Sequence, residues 1–215
     1  MRWSSPLFCI GLAALTAAGC TLHNQAPAQD PDQEQWVELF NGENLDNWVI
    51  KIAGGKPAEN LLNTFSVRDG KIVVSYDEYD QLDGRWGHIF YEEPFSHYRI
   101  EVEYRFVGEQ VAGAPEWAWR NNGIMYHAES PYDMGIDQDY PACVEVQLLG
   151  GNGVDERPTA NLVTPGSHAV YQGELRTDHI INSSSDTYHG DQWVTVEVEV
   201  HGDGLAINRV NRDEG

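Results

Sequence analysis

The segment "YPACVEVQLLGG", residues 140–151, carries the residue types of a catalytic site on one side of a predicted β-strand. Its alternation places Val146 and Leu148 on one side and Glu145 and Gln147 on the other. A carboxylate can act as a general base, and an amide can hold a hydroxyl group through hydrogen bonds. A solvated sheet face carries the same residue types, so the alternation alone leaves both interpretations open.

Two features favour a site over a solvated face. The strand is otherwise apolar and long segments flank it, so its centre is expected to be covered. A carboxylate that is partly removed from water has a raised pKa and becomes a better base near neutral pH. We therefore interpret Glu145 as a catalytic base and Gln147 as a substrate-binding residue.

A second predicted strand, "NNGIMYHAES" at residues 121–130, supplies further hydrogen-bonding groups. His127 is a catalytic candidate that could stabilise developing negative charge, and Asn122 is a substrate-binding candidate. Alternation is expected to turn Tyr126 away from His127.

Other candidates have strong competing interpretations. Glu101 is a substrate-binding candidate, but it lies in "YRIEVEYRFV" among alternating charges that are typical of an ion-paired surface. Trp86 and Tyr140 could stack on a sugar, although ordinary packing explains aromatic residues equally well. Asp137 and Asp139 have oxygens that suit a divalent cation, yet their spacing matches no calcium-binding loop and solvated turns are the alternative. A divalent cation therefore stays open as a cofactor.

The N-terminal segment "MRWSSPLFCIGLAALTAAGC" is predicted to be a bacterial lipoprotein signal over residues 1–19. Its apolar run is too short to span a membrane comfortably and has the form of a secretory signal. The ending "AAGC" predicts a lipid on Cys20, and an ordinary secretory signal is the alternative. Residues 20–35 are rich in Pro, Gln and Asp and are predicted to be a flexible tether. We expect a protein anchored by lipid in the cell envelope, facing the periplasm or the cell surface.

Residues 36–215 are expected to form one domain of ordinary size. The net charge is −21 for the whole chain. So acidic a surface repels nucleic acid and anionic lipid headgroups. Cys143 would be the one cysteine left after the signal and the lipidated residue are set aside, so no intrachain disulfide is expected.

The domain reads as short strands with period-two alternation, separated by turns. The clearest strands are "YRIEVEYRFV" and "WVTVEVEVHG", and "TFSVRDGKIVVSY" predicts a hairpin that turns at Asp69-Gly70. "WGHIFYEE" and "GLAINRV" are further strands. This pattern predicts an all-β antiparallel sandwich or barrel. Two segments lack periodicity, Gly108–Asn121 and Gly150–Gln192, and are interpreted as ordered loops that cover a site.

The entry segment "WVELFNGENLDNWVIK", residues 36–51, resembles the 3-keto-disaccharide hydrolase family. The resemblance continues through "FSVRDGKIVV", "YRIEVEYRF", "NNGIMYH" and "CVEVQLLGG" and covers residues 36–202. It implies a two-sheet antiparallel jelly-roll sandwich of the concanavalin A and laminin-G type. The chain departs from the family at His127, where many relatives carry arginine. It also stops at "LAINRVNRDEG", where the family usually has one more hairpin, so a truncated C-terminus with an open sheet edge is expected.

The resemblance implies a glycoside substrate whose 3-hydroxyl group has been oxidised to a ketone. The ketone acidifies the C2–H bond, a base removes that proton, the glycosidic oxygen leaves C1, and water then adds. Two rivals stay open. A conventional glycosidase needs two flanking carboxylates, and the strand has an amide at 147 and glycine at 150 where such enzymes carry Asp and Glu. A non-catalytic carbohydrate-binding module would need aromatic and amide side chains but no base.

Overall fold

The computed structural model describes residues 2–4 and 36–211 and confirms an all-β antiparallel jelly-roll sandwich. The strands in chain order are β1 (Arg2–Ser4), β2 (Trp36–Glu38), β3 (Trp48–Ile52), β4 (Phe65–Arg68), β5 (Lys71–Val74), β6 (Gly87–Tyr91), β7 (His97–Tyr104), β8 (Asn121–Tyr126), β9 (Val144–Leu149), β10 (Asn161–Val163), β11 (Ala169–Tyr171), β12 (Glu174–Arg176), β13 (Ile180–Ile181), β14 (Val194–His201) and β15 (Leu205–Val210). Short 3₁₀ turns occupy Leu61–Asn63 and Glu116–Ala118.

Two sheets form the sandwich. The first has the strand order β15-β14-β7-β1-β2, and the second has the order β13-β10-β9-β8. Three antiparallel pairs accompany them: β3 with β6, β4 with β5, and β11 with β12. The strand that carries Glu145 is therefore an inner strand of the second sheet, with β8 on one side and β10 on the other.

The core lies between the two sheets. The even-numbered valines of β14, from Val194 to Val200, are buried and pack with Val146 and Leu148 of β9. Each fully buried valine contributes about 1.5–3 kcal/mol of burial free energy. Because β9 alternates, the side chains between these core residues face away from the first sheet. That outer face of the second sheet carries Glu145.

The hairpin predicted at Asp69-Gly70 is confirmed. β4 and β5 pair in register from Phe65↔Val74 to Arg68↔Lys71. Asp69 and Gly70 have φ values of 50° and 70°, which is the left-handed geometry of a two-residue type I′ turn. The pattern was readable because Asp and Gly tolerate this geometry better than other residues.

The prediction that Gly150–Gln192 is a loop without strands is wrong. The segment contains β10, β11, β12 and β13, of which β10 and β13 extend the second sheet. These strands are two or three residues long, too short to show an alternating pattern in the sequence. Gly108–Asn121 is an ordered connection that contains the 3₁₀ turn Glu116–Ala118.

The N-terminal segment contributes one short strand. Arg2–Ser4 lie between β7 and β2. Backbone groups on the facing edges of β7 and β2 accept this strand. The division into a signal at 1–19, a tether at 20–35 and a domain from residue 36 stays a prediction. Residues 1, 5–35 and 212–215 lie outside the described residues, and so does the predicted lipidation site Cys20. Within the described ranges, no helix is long and apolar enough to cross a membrane.

Candidate active site

Glu145 lies near the middle of the second sheet, on the face turned away from the core. It pairs with Met125 of β8 and with Val163 of β10, and residues paired in this way share a face. The side chain is only 9% exposed. The carboxylate thus has apolar neighbours on both sides instead of water.

This burial changes the acidity of Glu145. Desolvation raises the pKa of its carboxyl group to about 7, because the charged form loses hydration. Among the residues that the structure describes, no hydrogen bond or ion pair to the Glu145 carboxylate offsets this loss. The group is therefore half ionised near neutral pH, which suits a general base.

A row of amides crosses the sheet beside Glu145. Asn161 Nδ2 donates to Gln147 Oε1 at 3.0 Å, and Gln147 Nε2 donates to Asn121 Oδ1 at 3.3 Å. Asn121 Nδ2 in turn donates to the carbonyl oxygen of Trp117 at 3.1 Å. Each NH₂ group carries two hydrogens, so Gln147 and Asn121 each have a second N–H that can bind a hydroxyl group.

Aromatic rings form a wall of the same cleft. Trp86 stacks on Trp117 with centroids 5.1 Å apart, and Trp86 also contacts Tyr140 at 5.7 Å. Burial, with smaller contributions from Asp139 and Glu145, raises the pKa of the Tyr140 phenol. Tyr140 is thus a neutral hydroxyl donor near Glu145. Trp117 is 55% exposed, so its ring is open to a ligand.

One further polar residue, His88, lines this cleft and was not predicted from the sequence, and Lys51 is buried beside it. His88 contacts the Tyr140 ring at 5.6 Å, and its Nε2 donates to the carbonyl oxygen of Asp139 at 2.7 Å. Lys51 pairs with His88 across β3 and β6, and its ammonium group donates to the carbonyl oxygens of Ile52 and Ile136. Burial lowers the pKa of both side chains. The sequence signal for Lys51 was a single charge inside the apolar run "WVIKI".

Six of the seven predicted residues line one large cleft, and Glu101 lies outside it. The six are Glu145, Gln147, Trp86, Tyr140, Asn122 and His127. Asn122 pairs with Leu148, so it points to the opposite face of the sheet from Glu145, and it is exposed. The structure therefore does not place Asn122 beside Glu145.

His127 and Glu101 are also placed differently from the sequence prediction. His127 follows the end of β8 with a left-handed φ of 51°, is exposed, and contacts the Tyr126 ring at 5.2 Å. Because its backbone leaves the strand geometry, alternation no longer directs it towards Glu145. Glu101 pairs with Glu197 in the first sheet, and Arg209 binds Glu197 at 2.7 Å. That surface is the other outer face of the sandwich, so Glu101 does not reach the cleft.

The aspartates proposed for a cation do not form a metal cluster. Asp137 and Asp139 are exposed, and Asp139 contributes its backbone carbonyl to His88. Over the described residues, no group of three or more His, Cys, Asp or Glu side chains is arranged to hold a metal ion.

Comparison with known proteins adds one finding. A family model described as the 3-keto-alpha-glucoside-1,2-lyase-like domain matches residues 35–213. No curated protein and no solved structure matches the chain significantly.

Proposed function

The chain belongs to the 3-keto-alpha-glucoside-1,2-lyase-like family, and on that premise we propose that it cleaves 3-keto-glycosides with Glu145 as the base. The observation that carries the proposal is the buried, unpaired carboxylate of Glu145, with a pKa of about 7, in a cleft lined by aromatic rings and amides. Aromatic rings and amides are the side chains that bind sugar faces and sugar hydroxyls.

The first step is removal of the C2 proton of the sugar. The 3-ketone acidifies this C–H bond, the proton moves to the Glu145 carboxylate, and the electron pair becomes the C2=C3 bond of an enolate. A hydrogen-bond donor near the enolate oxygen lowers the barrier. Tyr140 is the candidate donor, because burial keeps its hydroxyl protonated and it lies close enough to Glu145 to feel its charge.

The second step is elimination of the glycosidic oxygen. The enolate collapses to the ketone, a C1=C2 double bond forms, and the C1–O bond breaks. The departing oxygen takes a proton, which the now protonated Glu145 can return. Water then adds to the enone, with its oxygen on C1 and a hydrogen on C2. The elimination corresponds to a lyase step, and the hydration completes a net hydrolysis.

The two rival functions, a conventional glycosidase and a carbohydrate-binding module, require different residues in the cleft. The residues paired with Glu145 are Met125 and Val163, and the row beside it holds Gly123, Gln147 and Asn161, so no second carboxylate flanks Glu145 within these three described strands. This arrangement disfavours oxocarbenium chemistry with two carboxylates. One observation also fits a non-catalytic binding module: the ring of Trp117 is exposed and stacks on Trp86.

The experiment compares Glu145→Gln with a matched carboxylate variant, Glu101→Gln, on the far side of the sandwich. With a 3-keto disaccharide as substrate, we expect Glu145→Gln to keep substrate binding while kcat falls by about 10²–10⁴-fold. Glu101→Gln should retain native kcat. Binding of the keto sugar without turnover by the native protein would favour the binding module instead.

A further inference from the structure

Gly123 lies directly beneath the carboxylate of Glu145. Gly123 pairs with Gln147, whereas Glu145 pairs with Met125, so the side chain of Glu145 leans diagonally across β8. A Cβ atom added to Gly123 would overlap Oε1 of Glu145 and would lie 2.6 Å from its Cδ and Cγ. Any residue with a side chain at 123 therefore occupies the volume that the carboxylate fills.

The backbone does not explain the glycine. Gly123 is inside the regular strand β8, and its φ lies outside the left-handed region. Any residue could adopt this conformation, and a glycine inside a strand weakens the strand. Glycine in a strand often marks a close approach of another group, and here that group is Glu145.

The surroundings also define where the carboxylate would move. On the sheet face, Met125 and Val163 occupy the positions beside Glu145, and the core lies on the other side of the sheet. A side chain at 123 can therefore push the carboxylate only outward, towards the open cleft. Contact with water there would restore the hydration that burial removes.

We propose that Gly123 is a positioning residue, which leaves the space that seats the Glu145 carboxylate against the sheet and keeps it away from water. The inference rests on the proposed function for its catalytic meaning. Its structural part, that Gly123 leaves the space in which the Glu145 carboxylate lies, does not depend on the reaction.

The test is direct titration of Glu145 in Gly123→Ala. The carboxyl signal is identified in ¹³C NMR or infrared spectra of the native protein by its loss in Glu145→Gln. We expect the pKa of Glu145 to fall in Gly123→Ala by about one unit or more, towards the ordinary value of glutamate. A pKa that stays the same or rises overturns the proposal.

A matched glycine serves as the control. A Cβ at Gly135 would lie 3.7 Å from Cβ of Gln138, an ordinary contact, and its φ is also outside the left-handed region. Gly135→Ala should leave the pKa of Glu145 unchanged. If Gly123→Ala fails to fold, Gly123→Ala/Glu145→Ala should fold, because the overlapping side chain is gone; a double variant that also fails overturns the proposal.

Turnover separates this proposal from the proposed function. If both hold, the acid limb of the kcat/KM profile in Gly123→Ala moves to lower pH together with the titration, and kcat falls. If the pKa of Glu145 shifts in Gly123→Ala but Glu145→Gln leaves turnover unchanged, the result supports the positioning role of Gly123 and refutes Glu145 as the base. If Glu145→Gln loses turnover while Gly123→Ala keeps the native pKa of Glu145 and the native kcat, the result supports Glu145 as the base and refutes the positioning role of Gly123.

Discussion

Asn161 on β10 donates a hydrogen bond from Nδ2 to Oε1 of Gln147 on β9, over 3.0 Å. This bond fixes which end of the Gln147 amide faces which neighbour, because its nitrogen then donates to Asn121 at 3.3 Å. The amide is thus held on both sides, and Gln147 lines the cleft with one N–H that neither bond uses. A sugar hydroxyl bound there meets a donor that is already oriented.

Replacement of Gln147 should show both roles of this amide. Gln147→Leu removes the donor to the ligand and leaves Asn161 and Asn121 short of one partner each. We expect KM for the keto sugar to rise about tenfold and the free energy of unfolding to fall by about 1–3 kcal/mol. Steady-state kinetics and urea denaturation measure the two effects. Asn122→Leu, at an exposed position on the other face of β8, should change the stability by no more than about 0.5 kcal/mol and leave KM unchanged. Equal effects of the two variants would contradict the amide row.

Stability should depend on pH through Glu145. The folded state raises its pKa from 4.5 to about 7, so between these values the folded protein holds a proton that the unfolded chain has lost. The stabilisation is fully present below pH 4.5 and is lost as the pH rises through 7, about 3 kcal/mol in total.

Urea unfolding of the native protein and of Glu145→Gln at about pH 4 and pH 8 measures this linkage. The neutral amide does not titrate, and the other groups cancel in the comparison. Relative to the native protein, Glu145→Gln should become more stable at the higher pH by about 3 kcal/mol. A constant difference between the two proteins would mean that Glu145 is not buried in this way.

The exposed ring of Trp117 should bind the sugar. Trp117→Ala removes the stacked partner of Trp86, and we expect a loss of about 1 kcal/mol in binding, or a roughly fivefold rise in KM. Trp36→Ala is the control, because Trp36 is also partly exposed but contacts Arg99 at 5.2 Å on the other sheet. A KM that rises equally in both variants would point to a general loss of stability.

The N-terminal segment carries a separate prediction. We propose that the chain is cut before Cys20 and that this cysteine carries lipid. Mass spectrometry of the mature protein should find a modified Cys20 as the first residue, and Cys20→Ser should release the protein from the membrane fraction. A mature N-terminus at any later residue would indicate an ordinary secretory signal.

Long alternating strands were readable from the sequence, and short ones were not. β7 and β14 each have eight residues with apolar side chains at every second position, so their existence and core faces followed from the pattern. β10 has three residues and no pattern of its own. It forms because its backbone completes the ladder beside β9, which is a tertiary effect.

The site was partly readable for the same reason. Glu145 and Gln147 are two residues apart on one strand, so their shared face followed from alternation. Asn122 and His127 are five residues apart, and regular alternation already places such residues on opposite faces. His88 lies far from Glu145 in sequence and reaches the wall from β6, where Lys51 of β3 is its pairing partner. Only the folded arrangement shows that contact.

The most direct measurement of the central claim is exchange of the C2 hydrogen of a 3-keto disaccharide with solvent deuterium during turnover. If Glu145 removes this proton, the native protein should place deuterium at C2 as the glycosidic bond breaks, and Glu145→Gln should lose exchange and cleavage together. Cleavage without deuterium at C2, or equal turnover of the ordinary disaccharide and its keto form, would contradict the account.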